Sequence, residues 1–408
     1  MKYTIIGNSG AAISAVKAIR KLDTRGSITV ITREKCRAYS PVLGTYLISG
    51  RISSEGMYLV DKGFYYRNKV ELITGEEVTA IDSSDQKVLL KSGNVVNYEK
   101  LLIATGATPL TVGPLGNRIK TLRTVDDARK IKDLASKAKE IVIVGAGLLG
   151  LQLAEAIRKN FPSVNLKVVE ADTRVLPRYT DSQAALLVET AMKQHNVSFI
   201  NGCGTVNVQP NGEKVRVVNE RCETIVKGDI VISGIGVKPN VGLVRDSPIS
   251  VNRGIIVDSL MKTNVNNIYA AGDVTETFNP EVGSNEISAT WLEACEQGRI
   301  AGYNMAGWSV HYSGCIQGNI TTVFGLCMAF LGDSSGLRSD NFVKSCYTES
   351  GIYRRINMTN SKFTGATLIG RWEDVGVLYG VLNSTTIKAD VRKLSIGQQS
   401  FWGTFYKN

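Results

Sequence analysis

The order of apolar and polar positions predicts the same short motif twice. Tyr3-Thr4-Ile5-Ile6 is a β-branched and aromatic run. It is followed by the turn Gly7-Asn8-Ser9-Gly10-Ala11-Ala12, a helical pattern over 13–22 and a second strand-like run over 27–32. The motif recurs as a strand at 140–144, the turn Gly145-Ala146-Gly147-Leu148-Leu149-Gly150, a helix at 151–160 and a strand at 165–169. Between them, 100–103 is a continuous apolar run of the kind buried in a sheet, ending in Ala104-Thr105-Gly106-Ala107. After about residue 305 the pattern changes to short β-branched runs at 321–330, 342–348, 351–357, 363–369 and 376–382. This spacing predicts an antiparallel sheet, with a helix near 385–394.

A chain of 408 residues, 43% hydrophobic and 21% charged, is too long for one core, so two or three globular domains are expected. Composition excludes disorder, collagen and coiled coil. No stretch approaches the ~18–20 apolar residues of a membrane helix, and Met1 leads directly into a strand, so a cytoplasmic protein without membrane contact is expected. Cys36, Cys203, Cys222, Cys295, Cys315, Cys327 and Cys346 never fall at C-x-x-C spacing and read as buried thiols. His195 and His311 are too few for a His-based metal site or a nucleophilic pair. The chemistry is therefore expected to be a cofactor's. The formal charge of +11 lies mostly in 1–110 and 306–408, and the richest basic stretch, 130–139, interleaves Asp133 on a helical face. Nucleic acid is not expected as a partner. Such a surface instead steers an acidic protein.

The two glycine turns carry that chemistry. A diphosphate bound at a helix N-terminus requires a tight turn, close backbone approach and a small residue where helix meets strand. Gly7, Ser9 with Gly10, and Ala12 fill these places in the first turn, and Glu34 follows where an acid accepts from an adenosine ribose. The second turn has all three glycines, Gly145, Gly147 and Gly150, with Glu170 twenty residues after the last. A carboxylate at Glu170 favours NAD(H) over NADP(H), with Arg174 and Arg178 nearby as the opposing signal. Two such units in one chain imply two dinucleotides, a hydride donor and a redox acceptor.

With Ala104-Thr105-Gly106-Ala107, Gly234-Ile235-Gly236-Val237-Lys238-Pro239-Asn240 and Ile268-Tyr269-Ala270-Ala271-Gly272-Asp273-Val274 in the same order, nearly the whole chain resembles the pyridine nucleotide-disulfide oxidoreductase superfamily. The segments Tyr39-Ser40-Pro41-Val42-Leu43-Gly44-Thr45-Tyr46-Leu47-Ile48-Ser49-Gly50 and Trp291-Leu292-Glu293-Ala294-Cys295-Glu296-Gln297-Gly298-Arg299 are most similar to its rubredoxin reductase, NADH oxidase and nitrite reductase flavoprotein branch. The resemblance implies an α/β protein with two Rossmann-like domains. A discontinuous FAD domain (1–110 and 241–305) would receive an inserted NAD(H) domain (111–240), followed by an α+β interface domain (306–408) for dimerisation or partner docking. It implies FAD on Gly7, Ser9, Gly10, Ala11, Ala12, Glu34, Lys35, Val78, Ala104, Thr105, Gly106, Gly272, Asp273 and Trp291. NAD(H) would lie on Gly145, Gly147, Leu148, Leu149, Gly150, Glu170, Gly234 and Gly236, stacked so that hydride passes to flavin N5.

Two departures shape the functional expectation. Val42 stands where the family's single-cysteine members carry their redox thiol, and Cys36 lies six residues upstream. Gln152 replaces a glutamate that contacts nicotinamide in many relatives, while Glu155 is retained. Without a thiol at the ring, electrons leave the flavin directly, and no side chain is assigned as acid or base. The expected activity is FAD-dependent NADH:acceptor oxidoreduction toward an acidic carrier such as a rubredoxin or ferredoxin-like protein, or toward a companion redox subunit, in a homodimer or hetero-oligomer. The alternatives are an NADH oxidase producing H2O2 and a structural flavoprotein subunit. Trp372, Phe401, Trp402 and Phe405 are candidates for a docking patch.

Overall fold

The computed structural model describes residues 1–408 apart from 280–282, 315, 348–349, 361 and 384–408. Two five-stranded parallel sheets dominate it. The first has the order Ile268–Ala270, Lys100–Ile103, Lys2–Ile6, Ser27–Thr32, Val70–Thr74. The second has the order Val197–Ile200, Asn165–Val169, Glu140–Val144, Ile230–Ser233, Ile119–Thr121. Their central strands are buried almost from end to end, which is why they read as continuous Ile, Val and Leu runs. In each sheet the chain leaves the central strand to one side and later returns on the other, so a crevice opens beyond its C-terminal end, at Gly7 in the first and Gly145 in the second. Residues 268–270 rejoin the first sheet after the second is complete.

The helices that follow the glycine turns, Gly10–Leu22 and Leu148–Asn160, each start three residues earlier than the apolar pattern predicts. In the first helix these are the small residues Gly10, Ala11 and Ala12, which hydrophobic periodicity does not register; in the second they are Leu148, Leu149 and Gly150, which the glycine motif had assigned to the turn. The helix Trp291–Met305 packs along Gly10–Leu22 at backbone distance. A Cβ placed on Gly298 would lie 2.1 Å from the Ala11 carbonyl oxygen, and one on Gly302 2.6 Å from that of Ala15. This close packing brings Trp291 and Cys295 to Gly10, whose own Cβ position is 2.9 Å from the Cys295 sulfur.

The C-terminal part is an antiparallel sheet ordered Gly318–Val323, Leu326–Gly332, Lys362–Ile369, Ile352–Thr359, Asn341–Tyr347. The predicted run 321–330 is thus two strands, turned by Phe324 and Gly325 with φ of +52° and +79°. The predicted strand 376–382 is instead a helix, Val375–Leu382. Its run is apolar throughout and carries no alternation to separate the two forms, but Val375, Leu378 and Val381 recur at helical spacing and are buried on the helix's inner face. The predicted helix at 385–394 and the aromatics Phe401, Trp402 and Phe405 lie outside the described residues; Trp372 is 41% exposed.

The reading of the cysteines as buried needs correction. Of the six described, Cys222 is exposed and the others are half-buried. Cys222 occupies a left-handed turn (φ +61°) between Lys214–Val218 and Thr224–Gly228, where no core covers it. Among the described residues, no helix is long and apolar enough to cross a membrane and no cluster of His, Cys, Asp or Glu is arranged to hold a metal ion.

Candidate functional site

The first crevice is built on Gly7. Its φ is +117°, and an added Cβ would stand 2.1 Å from the Ala104 carbonyl oxygen, so only glycine lets the two strand ends close. Ladder bonds fix both sides: Gly7 N–H to Ile31 O at 2.8 Å and Ala104 N–H to Ile6 O at 2.8 Å. Ser9 is the N-cap, but its hydroxyl donates to the Tyr39 carbonyl (3.2 Å) rather than capping the helix. The first intrahelical bond is Ile13 N–H to Ser9 O at 3.0 Å. The N–H groups of Gly10, Ala11 and Ala12 are left at a helix N-terminus, an arrangement that offers itself to a phosphate.

Remote segments complete this crevice. Gly272 (φ +86°) passes 3.5 Å from the Ala11 Cβ as measured from its own Cβ position, and its N–H donates to the Oε1 of fully buried Gln297 at 2.8 Å. The Asp273 carboxylate, 12% exposed, pairs with Arg123 at 3.0 Å, and the same guanidinium is 3.1 Å from the Cβ position of Gly106. Asn240 clasps the turn above, accepting from Thr108 Oγ1 (2.6 Å) and donating Nδ2 to Thr105 O (2.8 Å), where Ala107–Pro109 pairs with Val237–Pro239. Arg123 was not singled out by sequence reasoning, and Asn240 and Gln297 stood in the quoted segments without an assigned role. Arg123 immediately precedes the capping box of Thr124 and Asp127, a signal that fixes its backbone but not its aim.

Glu34 lies two residues beyond the strand Ser27–Thr32 adjacent to Gly7 and accepts a 2.6 Å hydrogen bond from the buried Tyr39 hydroxyl. Lys35 lies along Gly75, its Cγ 3.3 Å from that glycine's Cβ position. Val78 starts a small antiparallel sheet (Val78–Asp82, Lys87–Leu90, Val95–Asn97) and packs on the first core. Trp291 sits at the start of its helix, with its ring 3.0 Å from the Cβ position of Gly10.

Val42 and Cys36 are placed differently. Val42 is 53% exposed, in the single turn Pro41–Leu43 before the helix Gly44–Ile48. Cys36 is half-buried, its carbonyl accepting from Asn8 Nδ2 at 3.5 Å. Burial, with the Glu34 carboxylate second, pushes its thiol up to about 11. At pH 7.5 the thiolate fraction is roughly one in three thousand, too small for a nucleophile. With the flavin and NADH that the resemblance implies, Cys36→Ser is therefore expected to keep the rate of anaerobic flavin bleaching within about twofold of wild type. A tenfold loss in stopped-flow traces would make Cys36 part of the electron path.

The second crevice repeats the first with all three glycines in place. Gly145 has φ of +105° and faces the Gly234 carbonyl, 2.7 Å from where its Cβ would be; a Cβ on Gly150 would meet the Gly145 carbonyl oxygen at 1.9 Å. An added Cβ on Gly147, by contrast, meets nothing within 4 Å, so this N-cap faces open space. The first helical bond is Leu151 N–H to Gly147 O, leaving the N–H groups of Leu148, Leu149 and Gly150 at the helix start. Glu170 closes the turn, its two oxygens accepting from the N–H groups of Ala146 (2.6 Å) and Asp172 (3.1 Å). Gly236 (φ +113°) accepts from Leu110 N–H at 2.9 Å and carries the chain out of this sheet. Arg174 is committed to its own loop, donating to the carbonyls of Thr180 and Pro177, whereas Arg178 is exposed. Gln152 donates its amide to Thr321 Oγ1 (2.9 Å) and Glu155 accepts from Phe324 N–H (3.2 Å), so this helix face is tied to the C-terminal sheet.

Residues 1–298 match the family described as pyridine nucleotide-disulphide oxidoreductase. The chain is 31% identical over 384 residues to the NADH-dependent phenylglyoxylate dehydrogenase subunit epsilon of Aromatoleum evansii, covering 92% of this chain and 90% of that protein. It is 29% identical over 371 residues to the NADH-rubredoxin oxidoreductase of Clostridium acetobutylicum, covering 90% and 91%. The crystal structure of the covalent putidaredoxin reductase–putidaredoxin complex shares the fold, with a TM-score of 0.85 at 21% identity over 93% of this chain and 92% of that one.

Proposed function

Since the chain belongs to the pyridine nucleotide-disulphide oxidoreductase family, we propose that it takes reducing equivalents from NADH and delivers them to an acidic electron-carrier protein or a companion redox subunit. It is an NAD(P)H-dependent flavoprotein oxidoreductase with FAD and NAD(H) as cofactors. When bound, the nicotinamide supplies a hydride, and the flavin accepts the electron pair and releases single electrons. The observation that carries the reading is the pair of glycine cradles. Gly7 and Gly150 would each be filled by a single Cβ, and each cradle opens onto a helix start whose first N–H groups have no intrahelical acceptor.

In this reading residues 1–110 and 241–305 hold FAD, 111–240 hold NAD(H), and 306–408 form the interface domain. Gly7, Ser9, Gly10, Ala11 and Ala12 cradle one diphosphate, with Glu34, Lys35 and Val78 on the adenosine side. Ala104, Thr105, Gly106, Gly272, Asp273 and Trp291 lie on the flavin side, and Arg123 joins them through Asp273. Gly145, Gly147, Leu148, Leu149 and Gly150 receive the other diphosphate, and Gly234 and Gly236 close the turn behind it. Glu170 and the commitment of Arg174 to its own loop favour NADH over NADPH. Valine at position 42 supports direct exit of electrons without a sulfur intermediate. Free cysteines suit the reducing cytoplasm, where we place the protein.

A net charge of +11 suits an acidic acceptor, since complementary fields raise encounter rates and are screened by salt. The 31% identity to a dehydrogenase subunit keeps a companion subunit as the second form of the same reading. The purified protein is expected to be yellow and to bleach anaerobically with one equivalent of NADH. Reoxidation by air should be slow, while an acidic rubredoxin or ferredoxin is reduced rapidly, with a rate that falls roughly tenfold between low and 0.3 M salt. Reoxidation by air as fast as by any carrier would replace this reading with an H2O2-forming oxidase. Failure to bleach would replace it with a structural subunit.

A further inference from the structure

A groove of about 880 Å³ runs beside Glu170, within the ~300–1,000 Å³ typical of small-molecule sites. Glu170, Asp172 and Arg178 line one side. Ser335, Leu337 and Arg355 line the other, and they come from the C-terminal sheet rather than from the nucleotide fold. The two sides are pinned together at the base: Tyr353 donates to Asp181 at 2.8 Å, Lys344 reaches the same carboxylate at 3.4 Å, and Thr367 Oγ1 donates to the Tyr179 carbonyl at 3.0 Å. The width of the groove is thus set by the protein itself.

Two features specify what it takes. Guanidinium groups on both sides offset the carboxylates, so the groove suits a neutral group recognised through its hydroxyls and its flat face rather than an anion. Leu337, at 85% exposure, holds a bare aliphatic side chain at the lip. An aliphatic group so placed gains by being covered. Beyond it the Arg355 guanidinium is held rigid, with Nε donating to Asn357 Oδ1 at 2.8 Å and its face over the Phe342 ring at 4.4 Å.

We infer that the C-terminal sheet is the second wall of the adenosine subsite, with Leu337 covering the adenine of the nicotinamide dinucleotide whose ribose faces Glu170. This rests on the assignment of Glu170 to that ribose. The third domain is then a direct determinant of dinucleotide affinity as well as an interface. Purified holoprotein carrying Leu337→Ser, Leu337→Met or Glu170→Ala is titrated calorimetrically with ADP-ribose. Leu337→Ser is expected to weaken binding roughly five- to tenfold, the worth of about half a leucine's apolar cover, while Leu337→Met stays within about twofold. Flavin absorbance and Tm should be unchanged in both. Wild-type affinity in Leu337→Ser alongside a loss of roughly tenfold or more in Glu170→Ala would overturn the role of the C-terminal wall and leave the ribose assignment standing. Wild-type affinity in Glu170→Ala would remove both. An equal loss in Leu337→Ser and Leu337→Met would also overturn it, because the effect would not follow apolar cover.

Discussion

Gly7→Ala is expected to yield a protein that purifies nearly colourless, with the absorbance ratio of 450 to 280 nm reduced at least tenfold and Tm lowered by several degrees. The alanine must hold φ near +117° and place a methyl 2.1 Å from the Ala104 carbonyl oxygen. That carbonyl cannot retreat freely, because its residue is hydrogen-bonded to the Ile6 carbonyl across the sheet. Left-handed backbone costs about 1–2 kcal/mol and overpacking about 1–3 more, a large part of the ~5–15 kcal/mol that holds a domain folded. The cradle yields before the sheet does, since relaxation widens the turn that the diphosphate needs closed. Flavin content equal to wild type would show that the first crevice is not the flavin's.

Gly150→Ala is expected to leave the colour intact and slow its bleaching by NADH severely. Here the methyl would stand 1.9 Å from the Gly145 carbonyl oxygen, forcing the helix Leu148–Asn160 away from its strand and moving the helix-start N–H groups off the diphosphate. At 0.1 mM NADH the anaerobic bleaching rate should fall by roughly two orders of magnitude, about 2.7 kcal/mol of lost binding and positioning. Dithionite should still reduce the flavin fully. Normal NADH reduction in this variant would detach the second crevice from the nicotinamide dinucleotide. The two glycine variants together separate the cofactors, because the first loses the flavin and the second loses access to its reductant.

The sequence made the local parts of this site legible and left the remote ones hidden. Gly7, Gly145 and Gly150 were readable because a turn, a helix start and a strand end lie within one short segment, where spacing alone fixes geometry. The position of Glu170 at the end of its strand was readable for the same reason, although its two hydrogen bonds to backbone N–H groups were not. Arg123, Asn240 and Gln297 each lie more than a hundred residues from Gly7, and no periodicity marks their part in its crevice. The Tyr39 to Glu34 hydrogen bond depends on a loop folding back, which an apolar pattern does not encode. The strand predicted at 376–382 failed for a different reason: an unbroken apolar run suits either a buried strand or a buried helix, and only the sheet beneath it decides.

The late return of residues 268–270 to the first sheet also sets an order of assembly. As the chain leaves the ribosome, the second nucleotide fold has every strand it needs by Ser233, whereas the first still lacks an edge strand and the helix that covers Gly10–Leu22. Of the two nucleotide folds the earlier-made one is therefore finished second, after closing contacts spanning more than 280 residues. Until then its cradle is only partly walled, so with the flavin on this crevice, as proposed, its capture would be a late event in biogenesis, and a chain truncated before residue 298 is expected to be born without its prosthetic group.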